Sequence, residues 1–205
     1  MTSVWRTSGW ILLGSALILA LSLGVRHGFG LFLAPMSAQF GWGREVFAFA
    51  IAFQNLIWGL AQPFAGALAD RFGAAKVVFV GGILYAVGLA CMGMADSPLS
   101  LSLSAGVLIG IGLSGTSFSV ILGVVGRALP SEKRSMGMGI ASAAGSFGQF
   151  AMLPGSLGLI GWLGWSGALL VLSVLVAMIL PLVAMIKDVP TPLTGGEQTL
   201  REALH

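Results

Sequence analysis

The sequence predicts an all-α membrane protein with six transmembrane helices, and three observations lead to this fold class. Its 205 residues are 57% hydrophobic, with a mean hydropathy of +0.98. Only 8% of them are charged, whereas soluble domains average about 25%. The apolar residues form runs near the roughly 20 residues that a helix needs to cross the hydrocarbon core, and this length holds about six such runs. No separate soluble domain fits beside them.

Short polar intervals separate the predicted spans. The first apolar run exceeds the roughly 7 to 15 residues of a signal peptide, which favours a retained helix over a cleaved signal. Pro35 and the loop 36–44 are predicted to end it, Asp96-Ser97-Pro98 to form a tight turn, and residues 158–165 to form an interfacial turn. The membrane domain is expected over 1–187 and the start of a cytoplasmic linker over 188–205. The predicted spans are approximately 9–33, 45–68, 76–95, 99–129, 135–157 and 166–186.

The distribution of cations predicts the orientation of the chain. Cytoplasmic loops of membrane proteins are enriched in Lys and Arg. If the N-terminus lies inside, eight cations fall on the inner side, Arg44 alone falls on the outer side, and Arg26 lies within a span. Both termini are therefore predicted to be cytoplasmic. The inner cations are Arg6, Arg71, Lys76, Arg127, Lys133, Arg134, Lys187 and Arg201.

The composition argues against several other classes of protein. The net charge of +3 comes from residues in separate loops and not from one basic face, so no nucleic-acid partner is expected. Cys91 is the single cysteine, which excludes an internal disulfide and favours a buried structural role. No spacing of His, Cys, Asp and Glu is typical of a metal site. Neither an enzyme nor a cofactor is expected, and the lipid bilayer is the first predicted partner.

Arg26 is the most informative side chain for function. It lies about 9 residues, or roughly 13 Å, from the outer end of the first predicted span. An ionisable residue at such depth indicates a functional site, because it needs a partner or a water-filled cavity. Its planar guanidinium matches a carboxylate, although a structural hydrogen bond to a carbonyl is the open alternative. The adjacent His27 is a candidate for proton coupling, or else a histidine held by a backbone carbonyl.

Three further polar side chains are candidates for contact with a solute. Asn55 in the second span and Gln149 in the fifth lie deep in the membrane, where amides bind a polar solute or hold helices together. Tyr85, the single tyrosine, offers a hydroxyl in the third span. Hydroxyl residues at 114–119 in the fourth span either join this set or bond to their own helix.

The segment GALADRFGAAK, residues 66–76, concentrates charge between two apolar runs. It resembles the signature loop between the second and third helices of the major facilitator superfamily, in which Gly-x-Leu-Ala-Asp-Arg-x-Gly precedes basic residues. The resemblance implies a gate, in which Asp70 pairs with charged groups and helix ends of an opposite half. The alternative is a turn whose charges only set topology. The proposed gating residues are Gly66, Asp70, Arg71, Gly73 and Lys76.

This resemblance also implies an architecture. Transporters of this superfamily consist of two six-helix halves, each built from two inverted three-helix repeats, with the solute between the halves. The sequence is expected to form the N-terminal half. It is either part of a longer or interrupted reading frame, or a half that pairs with another copy or with a separately encoded half.

A narrower resemblance concerns the substrate. The residues RHGFGLF at 26–32, together with Asn55, Trp58-Gly59 and Gln62-Pro63, are similar to bacterial proteins related to the monocarboxylate transporters. They imply a small organic anion, moved with protons or by exchange across the inner (plasma) membrane. The alternatives are efflux of another small organic solute, a membrane module that binds or regulates a partner without transport, and a non-functional fragment.

Overall fold

The structure is a computed structural model that describes residues 2–186, with side chains from residue 8 onward. The predicted linker at 188–205 and the side chains of Arg6, Lys187 and Arg201 lie outside this range. The described chain is helical in almost every part. Its α-helices are α1 Thr2–His27, α2 Leu33–Phe40, α3 Arg44–Phe72, α4 Ala74–Gly93, α5 Pro98–Leu101, α6 Ile109–Thr116, α7 Phe118–Ala128, α8 Ser131–Ala177 and α9 Ile179–Val183.

Five segments of the described chain are long and apolar enough to cross a membrane. This agrees with the predicted all-α membrane fold. The fifth segment is 53 residues long, roughly 80 Å at 1.5 Å per residue, which exceeds the approximately 30 Å of a hydrocarbon core more than twofold. The segments are Ser8–Phe40, Arg44–Phe72, Ala74–Gly93, Pro98–Ala128 and Ser131–Val183.

The first segment continues past Pro35, so the predicted helix end there is wrong. After α1, one 3-10 turn at Gly28–Phe32 leads into α2, whose third residue is Pro35. Proline is tolerated in the first turn of a helix because its missing N–H would have no acceptor there. The helix ends instead at Gly41, whose φ of 66° is the left-handed conformation that glycine adopts at helix C-termini.

The fourth segment is interrupted twice, although the sequence predicted one continuous helix. A π-helix occupies Ser102–Leu108, and Ser117 has an extended backbone, with φ −103° and ψ −171°, between α6 and α7. The side chain of Gln54 in α3 donates a hydrogen bond of 2.6 Å to the carbonyl of Ala105 inside the π-helix. A neighbouring helix therefore satisfies part of the irregular backbone.

A break at Gly164 divides α8. This residue has φ 71° and ψ 173°, outside the helical region, while the residues up to 163 remain helical. The predicted interfacial turn at 158–165 is therefore too long at its start. Beside the break, the Trp165 Nε1–H donates to Gln39 Oε1 at 2.6 Å, and the Ser166 hydroxyl donates to the Gly93 carbonyl at 2.5 Å.

Glycine allows the helices to approach closely at two places in the core. A Cβ added to Gly24 in α1 would lie 2.7 Å from the Gly148 carbonyl oxygen of α8. A Cβ on Gly81 in α4 would lie 2.9 Å from the Gly112 carbonyl oxygen of α6. Small residues at such contacts are typical of packed membrane helices. These two contacts bring α1 close to α8 and α4 close to α6.

Candidate functional site

Arg26 lies deep in the first apolar segment, 18 residues after Ser8 and 14 before Phe40. Its guanidinium is half-buried, and its Nη2–H donates a hydrogen bond to Asn55 Oδ1 of α3. The Nε atom is buried and has no hydrogen-bond partner among the described residues. The structure thus joins two residues that the sequence singled out separately, and it leaves part of the guanidinium without a bond.

Trp58 forms the apolar side of this arrangement. The guanidinium carbon of Arg26 lies 4.7 Å from the centroid of the Trp58 ring, a distance at which a cation and an indole attract each other. The ring Nε1–H in turn donates to the Ser117 hydroxyl at 3.3 Å. Trp58 therefore connects the cation in α1 to the break between α6 and α7.

A second set of hydrogen bonds supports the cation from one turn earlier in α1. The Ser22 hydroxyl lies 2.9 Å from the Thr116 hydroxyl, and Thr116 also donates to the Gly112 carbonyl at 3.1 Å. Tyr85 is fully buried, and its hydroxyl donates to the Ser22 carbonyl at 3.0 Å. The hydroxyl proton of Tyr85 is thus bonded within the protein, and the assignment of Tyr85 as a solute-binding residue stays a prediction.

The remaining predicted solute-binding and coupling residues lie apart from these contacts. His27 is the last residue of α1 and is exposed. Gln149 is half-buried in α8. Within the described part of the chain, neither side chain has a hydrogen bond or an ion pair with another residue. Their assignments as coupling and solute-binding residues stay predictions.

The structure adds residues whose roles were not recognised from the sequence. Trp58 follows Asn55 by three residues and so shares its helix face, a signal that was present in the sequence. Ser117 belongs to the hydroxyl run at 114–119 that the sequence singled out, but its extended backbone gave no signal, because the break in the fourth segment is not marked by proline. Arg127 was counted only as a charge that sets topology. These three residues complete the contacts of Arg26 and Asp70.

In the signature loop, Asp70 has a partner in its own chain. The Arg127 Nη1 atom, at the end of α7, lies 3.2 Å from Asp70 Oδ1, and the exposed fractions of these two side chains are 29% and 66%. Gly73 separates α3 from α4 with φ 97°, which requires glycine. Arg71 rests with its guanidinium carbon 5.2 Å from the Phe72 ring centroid, and Lys76 is exposed.

Replacing Asp70 with Asn distinguishes a gate from a stability element. We expect the free energy of unfolding to change by no more than about 0.5 kcal/mol, because exposed ion pairs contribute little. If Asp70 is part of a gate, solute transport by the assembled transporter falls strongly in the same variant. Thermal unfolding in detergent and uptake into vesicles measure the two effects, and Glu132→Gln, which removes an exposed carboxylate in the first turn of α8, is the control. Unchanged transport would leave Asp70 with a topological role.

Comparison with known proteins decides the family. A model of the Major Facilitator Superfamily matches residues 5–203, almost the whole chain. The chain belongs to the Major Facilitator Superfamily. It is therefore a multi-pass membrane protein of a transporter family and not an enzyme, as the sequence predicted.

Several curated members of the superfamily are similar in sequence. Monocarboxylate transporter 11 of Mus musculus is 31% identical over 147 residues, which cover 71% of this chain and 32% of that protein. The uncharacterized MFS-type transporter YhjX of Escherichia coli is 30% identical over 146 residues, 71% of this chain and 35% of that protein. The multidrug resistance protein MdtH of Proteus mirabilis is 41% identical over 66 residues, 32% of this chain and 16% of that protein. The chain spans about a third of the length of the first two relatives.

Proposed function

We propose that the chain forms one half of a secondary transporter that moves a small organic anion, a monocarboxylate, by alternating access. The observation that supports this most directly is the partly bonded guanidinium of Arg26 in the middle of a membrane span. A carboxylate is the anion whose two oxygens match the planar fork of arginine. The similarity to monocarboxylate transporter 11 over 71% of the chain agrees with this substrate class.

The proposed half has six spans arranged as two inverted three-helix repeats. The break at Gly164 supports this count, because the helix before it runs parallel to α1 and the helix after it runs antiparallel to α1. Each of the two resulting parts is long enough to cross the membrane once. The contacts that indicate these directions are Ala20–Gly148 and Gly28–Ser156 before the break, and Gln39–Trp165 and Gly14–Met185 after it.

Alternating access requires a second six-helix half, which is either the C-terminal half of a longer protein or another copy of this chain. Arg26 and Asn55 supply one wall of the solute site, and the second half supplies the other. The charge distribution supports cytoplasmic termini in an inner (plasma) membrane, and with that orientation the Asp70–Arg127 pair would lie on the cytoplasmic side. There the loop at 66–76 acts as a gate whose charges exchange partners when the halves rock.

Proton coupling is assigned to His27, next to Arg26 in the chain. Histidine titrates near neutral pH, and the exposed His27 is accessible to water or solute. The competing mode is exchange of one anion for another, in which no proton moves. A transport rate that depends on a pH gradient and loses that dependence in His27→Gln distinguishes the two modes.

A second candidate function is efflux of a different small organic solute. The 41% identity to the multidrug resistance protein MdtH supports it, but this similarity covers only 66 residues. A regulatory membrane module without transport is the other alternative. The charge of the solute distinguishes the two transport functions, because the positive guanidinium of Arg26 attracts a carboxylate and repels an organic cation.

Binding to the purified chain tests the proposal, because Trp58 reports on Arg26. When a carboxylate pairs with the guanidinium, the cation moves relative to the indole ring at 4.7 Å and the Trp58 fluorescence changes. We expect a saturable change with lactate or pyruvate and none with ethidium, a cation typical of drug-efflux assays. The Trp58→Phe variant loses the fluorescence change. The control variant Trp10→Phe removes an exposed indole elsewhere in α1 and keeps the fluorescence change.

Uptake completes the test. Labelled lactate is measured in vesicles that contain the chain together with a second six-helix half. Saturable uptake that Arg26→Gln abolishes supports transport of carboxylates. A response to ethidium and none to carboxylates would overturn the proposed substrate class, and binding without uptake in the assembled protein would favour the regulatory module.

A further inference from the structure

An apolar groove of about 280 Å³ lies on the protein surface between α3, α4 and α6, near the signature loop. Its floor is the close contact of α4 with α6, where a Cβ on Gly81 would lie 3.1 Å from the Cα of Gly115. The single hydroxyl in its lining, that of Ser114, already donates to the Ile111 carbonyl at 2.7 Å. The two walls consist of Phe64, Leu68 and Phe72 from α3, and Val77, Val80 and Leu84 from α4.

The charges at this groove are concentrated at one end. Lys76 lines the end nearest the loop between α3 and α4 and is exposed. The guanidinium of Arg71 lies against the ring of Phe72, a wall residue, at 5.2 Å from its centroid. The neighbouring carboxylate, Asp70, pairs with Arg127 and so opposes these two cations less. The groove is therefore apolar along its length and cationic at its mouth.

The dimensions favour a thin occupant. From Lys76 to Leu84 the helix rises roughly 12 Å, so 280 Å³ corresponds to a cross-section of about 23 Å². A helix at least 10 Å across occupies roughly 80 Å². A single acyl chain is thin enough to lie inside the groove, whereas a helix from another protein chain would cover its opening.

We propose that this groove binds one anionic phospholipid of the surrounding bilayer. An acyl chain lies between α3 and α4, and the lipid phosphate pairs with Lys76 and Arg71. Basic residues near the membrane surface attract anionic lipids, and each methylene of the acyl chain that is buried in the groove adds to the affinity. The lipid site is separate from the anion site at Arg26 and does not depend on the transported solute.

Native mass spectrometry of the detergent-purified chain tests the lipid site. Phosphatidylglycerol and phosphatidylcholine with the same acyl chains are added in turn, so that only the head-group charge differs. We expect one phosphatidylglycerol to remain bound and phosphatidylcholine to dissociate. Lys76→Gln weakens retention about fivefold, the equivalent of roughly 1 kcal/mol. The double variant with Arg71→Gln weakens it about 25-fold.

Matched variants separate the groove from the rest of the surface. Arg134→Gln removes an exposed cation outside the groove and leaves retention unchanged. Ala61→Phe fills the deep end of the groove and lowers retention, while Ala67→Phe, on the exposed face of the same helix, does not. Equal retention of both lipids, full retention in the double variant, or a dimer that binds no lipid and dissociates in Ala61→Phe would overturn the proposal.

Discussion

Replacing Arg26 with Gln will weaken carboxylate binding by at least about 100-fold. The physical reason is that a carboxylate loses two charge-assisted hydrogen bonds, each of which contributes about 1.5–3 kcal/mol. The glutamine still reaches toward Asn55, so the link between α1 and α3 is partly kept. The Trp58 fluorescence titration with lactate measures the loss, and a labelled-ligand binding assay checks that the reporter itself has not failed.

Three comparison variants distinguish a binding role of Arg26 from a structural role. Arg26→Lys keeps the charge but replaces the planar fork by a point charge, so binding falls less, by about tenfold. Arg44→Gln removes an exposed cation at the start of α3 and leaves binding unchanged. Asn55→Ala removes the hydrogen-bond acceptor of Arg26 and lowers thermal stability. If Arg26→Gln lowers stability to the same degree but leaves carboxylate affinity intact, Arg26 is structural.

The helical fold was predictable because the bilayer imposes strong local rules. Length and hydropathy alone place the apolar segments, since every spanning backbone must satisfy its own hydrogen bonds. The irregular places were not predictable in the same way. The π-helix at Ser102–Leu108 is supported by Gln54, 51 positions away from the carbonyl that it reaches. The extended Ser117 accepts a hydrogen bond from Trp58. Contacts between helices decide both features.

The same distinction applies to the site. Arg26 and Asn55 attract attention individually, because polar groups are costly inside a membrane. That they bond to each other depends on how α1 and α3 pack. The ion pair of Asp70 with Arg127 was missed for a related reason: the two residues are 57 positions apart, and the loop pattern pointed to a partner in another half. The sequence identifies the polar side chains that are candidates for function, whereas their hydrogen-bond and ion-pair partners depend on how the helices pack.

The second large expected effect is a loss of stability when the close contact between α1 and α8 is disturbed. Gly148 lies so close to Ala20 that an added Cβ would collide with the backbone of α1, at 2.6 Å from the Ala20 carbonyl carbon. Backbone atoms cannot move aside as a flexible side chain can. The two helices must separate, and the site loses part of the support for Arg26, six residues after Ala20.

We expect Gly148→Ala to lower the free energy of unfolding by about 1–3 kcal/mol, the usual cost of overpacking. Gly155→Ala is the matched control on the same helix, since a Cβ there has no atom within 4 Å. Alanine favours a helix over glycine by up to about 1 kcal/mol, so the control is neutral or stabilised. The half-buried thiol of Cys91, the single cysteine, permits detection of unfolding with a thiol-reactive dye. Equal melting temperatures for the two variants would contradict the close contact between α1 and α8, and with it the geometry from which the anion site is built.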